Sequence, residues 1–355
     1  NYWTGTETKD FEADFAKWSE VSYAIAVANG SVALEMALRA IGLKGDDEVL
    51  VSPRTYIASA SCIEIVGATP VFVDVDLDSQ CIDPEEIKKS ITKRTKAIIC
   101  VHLAGHPCEM TKIMKLARQH DLKVIEDCAQ AHGAIYKGRK VGSIGDIGCW
   151  SFCQDKIMTT GGEGGMITTS NKELWERMWS YKDHGKSFGL VNKESSNLGF
   201  KWLHTSFGTN LRLTEIQSAI GRIQLKRMEK WNSIRSKNAS KITSTADNLE
   251  IFRVPKISDQ INHAWYKYYL FINLERLKDG WSKHKIILRL NELGIPCFEG
   301  CCPEVYLEKA FKSSDHKPAN RLKNSKLLGE TSIMLLVHPT LTLSDIDKTC
   351  ESLVR

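Results

Sequence analysis

No run in the sequence approaches the roughly 18 consecutive apolar residues that a membrane-spanning helix needs, so no span is expected. There is no Cys-x-x-Cys pair and no regular cysteine framework. The 11 cysteines, an odd number, are scattered, which reads as reduced thiols in a cytoplasmic protein. Charge of one sign is scarce as well: a net charge of +5 over 355 residues, with both signs interspersed, offers neither a nucleic-acid surface nor a polybasic membrane patch. Internal repeats and low-complexity tracts are missing. What remains, 42% hydrophobic and 26% charged, is an ordinary soluble globular composition, long enough for two domains. Two clusters carry metal-ligating atoms: Cys297, Cys301 and Cys302, and His102, His106 and Cys108. Neither has the paired spacing of a structural zinc site, and no metal is expected.

Periodicity predicts alternating helices and strands. Phe11, Phe15 and Trp18 share a helical face, and Tyr23–Val27 reads as a short buried strand. Asn29, Gly30 and Ser31 then open a helix. A tight turn into a helix start exposes backbone N–H groups and the positive end of the macrodipole, so the backbone of Ser31 and Val32 and the Ser31 hydroxyl form a candidate phosphate cup; a plain N-cap is the alternative. Strands are expected at residues 49–51, 70–76, 96–101, 122–127 and 147–152, with helices at 83–90, 110–119 and 174–181. Such alternation implies parallel crossover units and an α/β layer structure. Residues 186–207 read as an irregular segment over the site. Thr214 and Gln217 fit a capping box ahead of a helix with an apolar face, and beyond residue 231 a strand over 265–272 and helices over 281–293 and 343–354 follow.

The chain is organised around residues 146–169. Lys156 stands four residues past a buried apolar run and ahead of a glycine cluster that only an unusual backbone path needs. A desolvated lysine at the end of a strand is a candidate Schiff-base former, because burial leaves more free amine; an exposed loop lysine is the alternative. Upstream, the strand over 122–127 ends in Glu126 and Asp127, followed by Gln130, His132 and Gly133.

Here the chain resembles the DegT/DnrJ/EryC1/StrS sugar aminotransferases. The motif Ser-Phe, three residues, Lys, then Thr-Thr-Gly-Glu-Gly-Gly is matched by Ser151, Phe152, Lys156, Thr159, Thr160 and the residues from Gly161 to Gly165, with one extra glycine that leaves the step from Ser151 to Lys156 intact. Glu126, Asp127, Gln130 and Gly133 match a second family motif, and His102 with Gly105 a third. The resemblance covers most of the chain. It implies fold type I of the pyridoxal-phosphate enzymes: a large domain, residues 1–230, with a mixed, mostly parallel seven-stranded sheet between helices, and a small α+β domain, residues 231–355. It also implies an amino-terminal segment ahead of Asn1.

The resemblance further implies pyridoxal 5'-phosphate as cofactor, held by Lys156 as an internal aldimine, with its phosphate at the turn of Gly30, Ser31 and Val32 and with Ser151 among the cofactor-binding residues. Tyr56 would stack on the pyridine ring. Asp127 would keep the ring nitrogen protonated so that the ring accepts electrons, and Gln130 would bond the ring hydroxyl. Asn210, and with it Arg212, would reach the cofactor phosphate of the neighbouring subunit in a homodimer with shared sites. The implied reaction is ping-pong transfer of an amino group, with glutamate as donor, to a nucleotide-linked keto sugar, in surface-polysaccharide or secondary-metabolite biosynthesis. Two alternatives are a cofactor-dependent sugar dehydratase of the same family, in which histidine replaces the lysine, and a catalytically silent sensory homologue. Residues 297–303 depart from the family's Tyr-x-Pro-x-His pattern in a region that shapes the sugar pocket. His102 is expected to be structural.

Overall fold

The computed structural model describes residues 5–193, 200–311 and 316–355. Its main sheet contains β1 (Tyr23–Val27), β2 (Glu48–Val51), β3 (Thr69–Phe72), β4 (Thr95–Val101), β5 (Lys123–Asp127), β8 (Ile147–Ser151) and β9 (Gly165–Thr169), in the order β1-β9-β8-β5-β4-β2-β3. From β8 to β3 the neighbours are parallel, whereas β9 is antiparallel to both β1 and β8. A three-stranded sheet joins β6 (Ile135–Tyr136), β7 (Arg139–Lys140) and β11 (Ile261–Asn262). A four-stranded sheet, β10 (Phe252–Arg253), β12 (Tyr268–Ile272), β14 (Ser332–Leu335) and β13 (Cys297–Phe298), lies in the carboxy-terminal region.

The helices of the first half are α1 (Thr6–Ser19), α2 (Gly30–Ala40), α3 (Ala58–Ile65), α4 (Pro84–Ser90), α5 (Met110–Gln119), α6 (Lys172–Lys182) and α7 (Phe188–Val191). They are followed by α8 (Glu215–Leu225), α9 (Met228–Ala246), α10 (Lys283–Glu292), α11 (Lys323–Thr331) and α12 (Leu343–Val354). The expected capping box is present on α8, where Thr214 and Gln217 each bond the other's backbone N–H. Such a cap stabilises a helix by about 1 kcal/mol.

Period-2 alternation sends the main sheet's side chains into two cores. Ile25, Val27, Ile147, Cys149 and Ile167 join the core under α2, α5 and α6, while Ala24, Ala26, Trp150 and Met166 meet Phe11 and Phe15 of α1 on the other face. A third core packs Ala239 and Ile242 of α9, Leu290 of α10 and Leu353 of α12 on Tyr268, Leu270 and Leu335. Because Met228 belongs to the α1 core and Ala239 to the third, α9 ties the two together. The proposed division at residues 230 and 231 therefore falls inside a helix.

Several bounds differ from the sequence expectation. The strand expected over 265–272 starts only at Tyr268, because Trp265 adopts φ 50°, a left-handed conformation that breaks extended pairing. In the segment 186–207, α7 forms behind a Ser187 cap; residues 194–199 of that segment lie outside the described residues. All 11 cysteines are free thiols. Among the described residues no helix is long and apolar enough to cross a membrane.

Candidate active site

In open α/β sheets, ligands bind outside the carboxyl ends of the parallel strands. Here β1 runs into the start of α2, β2 into the loop with Tyr56, β4 into His102, β5 ends on Asp127, and β8 ends on Ser151 ahead of Lys156. The topology thus gathers at one edge residues that are up to 126 positions apart in sequence, Gly30 and Lys156.

Asn29 caps α2: its Oδ1 accepts from the Val32 N–H at 3.0 Å and its carbonyl from the Ala33 N–H at 3.3 Å. The Val32 N–H, expected in the phosphate cup, is therefore committed to the cap. The N–H groups of Gly30 and Ser31 have no acceptor among the described residues. Ser151 sits against this turn, since a Cβ on Gly30 would fall 2.6 Å from the Ser151 Cβ. Gly165 faces both Val27 and Ser151 in register, and a Cβ there would meet the Asn29 carbonyl oxygen at 2.5 Å. Two close approaches that only glycine permits thus set Ser151, whose Oγ accepts from the Cys153 N–H at 3.4 Å, against the turn that carries the two free N–H donors. Free N–H groups at a helix start make this turn a candidate anion cradle.

Asp127 is buried. Its Oδ2 accepts from the Ser59 hydroxyl at 2.7 Å and its Oδ1 from the Ala129 N–H at 3.1 Å, and it has no ion pair within 4.0 Å among the described residues. Burial pushes its carboxyl above the ordinary range, more than the Ser59 and Ala129 bonds and the nearby Lys156 charge pull it down. Gln130 fixes its side-chain oxygen on the Ala104 N–H at 2.7 Å, which leaves its amide N–H groups available as donors. Tyr56 is 67% exposed and makes no ring contact among the described residues.

Lys156 stands in a loop that folds back on itself. The Phe152 carbonyl accepts from the Thr159 hydroxyl at 3.0 Å and the Thr160 N–H at 3.3 Å, and the Lys156 N–H bonds the Cys153 carbonyl at 3.0 Å. Gly161 and Gly162, at φ 90° and 125°, carry the chain onward to β9. The side chain of Lys156 is only 17% exposed; its Nζ lies 3.6 Å from Asp155 Oδ1 and 5.1 Å from the centre of the Tyr266 ring.

Asn210 is exposed, with its Oδ1 accepting from the Arg212 N–H at 3.5 Å, and the Arg212 guanidinium pairs with Asp183. His102 uses both ring nitrogens: Nδ1 accepts from the Cys108 N–H at 3.0 Å, which puts the proton on Nε2, 2.9 Å from Glu126. Glu126 also accepts from Gly142, Ile144 and Gly145. Glu126 takes four donors on its two oxygens and His102 commits both ring nitrogens, so in the buried group of His102, Glu126 and Cys128, whose ligating atoms lie within 4.8 Å, only the Cys128 sulfur keeps uncommitted lone pairs. Burial also lifts the Cys301 thiol to about 11, against the pull of Arg54 and Lys156, so the departing segment 297–303 lies within electrostatic reach of the site.

The DegT/DnrJ/EryC1/StrS aminotransferase family model matches residues 1–354. The chain belongs to this family. A GDP-perosamine synthase from Escherichia coli O157:H7 is 41% identical over 262 residues, 74% of this chain and 68% of that protein. The dTDP-3-amino-3,4,6-trideoxy-alpha-D-glucose transaminase of Streptomyces venezuelae is 34% identical over 96% of this chain and 84% of its own length. The X-ray structure of an aminotransferase from Psychrobacter cryohalolentis superposes with a TM-score of 0.97 at 54% identity, covering 99% of this chain and 91% of that one. The cofactor of the family, and so of this aminotransferase, is pyridoxal phosphate.

The residues present suit that group. A buried carboxylate without a cation matches a protonated ring nitrogen, the free Gln130 amide matches a ring oxygen, and the cradle of Gly30, Ser31 and Ser151 matches a phosphate. Sequence reasoning missed Ser59, Asp155 and Tyr266. Ser59 is one of many helical serines, and Tyr266 is 110 positions from Lys156, so neither carried a local signal.

Proposed function

We propose that this aminotransferase moves an amino group from an amino-acid donor, with glutamate favoured, to a nucleotide-linked keto sugar, in polysaccharide or secondary-metabolite biosynthesis. The observation that carries the reading is Asp127 at the end of β5 and Lys156 just beyond the neighbouring β8, with the anion cradle on the same edge. GDP and dTDP sugars in the names of the relatives support the nucleotide-linked class.

In this reading Gly30, Ser31 and Ser151 hold the phosphate, with Val32 supporting the turn through its bond to Asn29. Tyr56 covers the ring face, Gln130 orients the ring through its oxygen, and Asp127 holds the ring nitrogen protonated. Bound pyridoxal phosphate supplies an electron sink for charge developing at the substrate carbon. Lys156 would anchor the cofactor through Nζ and, once free as an amine, would hold and move a proton between adjacent carbons. The same lysine would serve both half-reactions, and with the keto acid leaving before the keto sugar binds the kinetics would be ping-pong. Asn210 and Arg212 serve the site of the second subunit of a cytoplasmic homodimer, and the catalytic unit, residues 1–230, works against the smaller unit, residues 231–355.

The test is absorbance. Wild-type protein with pyridoxal phosphate is expected to show a visible band that bleaches on adding glutamate, and Lys156→Ala is expected to show neither that response nor turnover of any keto sugar. Substantial turnover by Lys156→Ala would remove the assignment.

A further inference from the structure

Lys156 does not stand alone. Asp155, its neighbour in sequence, directs one carboxylate oxygen to Lys156 Nζ at 3.6 Å while the other accepts from the Tyr266 hydroxyl. Tyr266 comes from the far side of the fold, just ahead of β12, and its backbone N–H bonds the Ala104 carbonyl at 2.8 Å, on the loop that also holds Gln130. Its ring lies under Lys156 Nζ at 5.1 Å and carries Lys267 Nζ at 4.9 Å. The phenol is largely buried, with its hydroxyl on a carboxylate and its ring facing two ammonium groups.

We propose that Asp155, clamped by Tyr266, is a positioning residue that orients the Lys156 amine and stabilises the positive charge it acquires. The inference rests on the aminotransferase reading. When Lys156 accepts a proton, the electron pair of the broken C–H bond stays with the substrate carbon and its conjugated system, and the amine becomes an ammonium ion. Charge thus appears at Nζ, 3.6 Å from a fixed carboxylate. Asp155 stabilises that charge and the transition state leading to it, and the proton then goes from Nζ to the neighbouring carbon. Tyr266 prevents the carboxylate from swinging to solvent.

The charged and titratable groups around this pair act in known directions. Asp155 is held below the ordinary carboxylate range: burial opposes this, but the Tyr266 hydroxyl and the Lys156 and Lys267 charges outweigh it. Lys267 is lowered, chiefly by burial, with Asp155 raising it. Asp127 also attracts the Lys156 charge, and His132, whose imidazole is lowered to about 3 by burial and by Lys156, stays neutral behind the loop.

The experiment titrates Lys156 in the full-length protein stripped of cofactor, by following its carbamylation with cyanate against pH through peptide mass spectrometry. Asp155→Asn is expected to lower the midpoint by about 1 unit, the small end of the range for a neighbouring opposite charge, since the Asp155 side chain is 53% exposed. Tyr266→Phe is expected to lower it by less, and Asp155→Glu to restore it in part. In the holoenzyme, Asp155→Asn is expected to reduce kcat about 10-fold with little change in the donor KM. A midpoint unmoved in Asp155→Asn, or raised in Tyr266→Phe, would overturn the proposal. Should Asp155→Asn not fold, the Tyr266→Phe titration decides alone. The titration needs no turnover, so its failure is distinct from a failure of the aminotransferase reading, which the Lys156→Ala spectrum tests.

Discussion

Glu126 and Asp127 are adjacent carboxylates at the end of one strand, and their surroundings are opposite. The strand's alternation turns Glu126 to one face, where His102 and three backbone N–H groups fill its four lone-pair sites. Asp127 faces the other way, onto Ser59 and the edge where Lys156 stands, with two donors and, among the described residues, no ion pair. Burial pushes both carboxyls up. For Glu126 the hydrogen bonds and His102 overcome it and hold the group below its ordinary value, whereas Asp127 stays above. One residue's step along a strand separates a carboxylate saturated by four donors from one with two donors and no ion pair among the described residues.

Three variants sharpen or break this contrast. Glu126→Ala carries the largest expected effect, about 3–5 kcal/mol of stability in urea unfolding, because it leaves the buried His102 ring and Gly142 N–H, and the half-buried N–H groups of Ile144 and Gly145, without an acceptor. A loss under 1 kcal/mol would show that water replaces the carboxylate at no cost. Asp127→Asn is expected to reduce transamination about 100- to 1000-fold and to weaken cofactor retention, while the fold survives.

The smallest effect is the most diagnostic. A carboxyl raised in the folded state holds its proton more tightly than in the unfolded chain, so its contribution to stability is fully present at low pH and declines as pH rises through the raised value. Asp127→Asn removes that cost, and the cofactor-free variant is therefore expected to be the more stable protein at pH 7, by several tenths of a kcal/mol or more. Glu126, lowered in the folded state, has the opposite slope: its stabilisation is present above the ordinary carboxylate range and is lost as pH falls through the lowered value. Urea midpoints of wild type, Asp127→Asn and Glu126→Gln at pH 4, 5.5 and 7 measure the two slopes. Equal slopes would end the distinction.

Much of the fold was legible from periodicity. The strand Tyr23–Val27, the helices Met110–Gln119 and Leu343–Val354 and the α8 capping box all stand where spacing and cap chemistry predict. β9 was harder to read, because Gly165–Thr169 follows a glycine cluster and runs against its neighbours, and direction in a sheet has no local signature. α9, 19 residues long, was hidden because its face changes partners from the α1 core to the third core, which blurs a single apolar stripe.

The sequence by itself determined the kinds of chemistry present and their order: a lysine beyond a buried strand, an acid at the end of another, a turn opening a helix, and motifs specific enough to name a family. Only the tertiary structure decided which groups are free to use them. Asn29 takes the Val32 N–H, His102 and three amides saturate Glu126 while Asp127 stays unpaired, and Tyr266, 111 residues from Asp155, clamps the carboxylate beside Lys156. Whether a donor or acceptor is available depends on every partner within about 3 Å, and those partners come from distant segments brought together by packing.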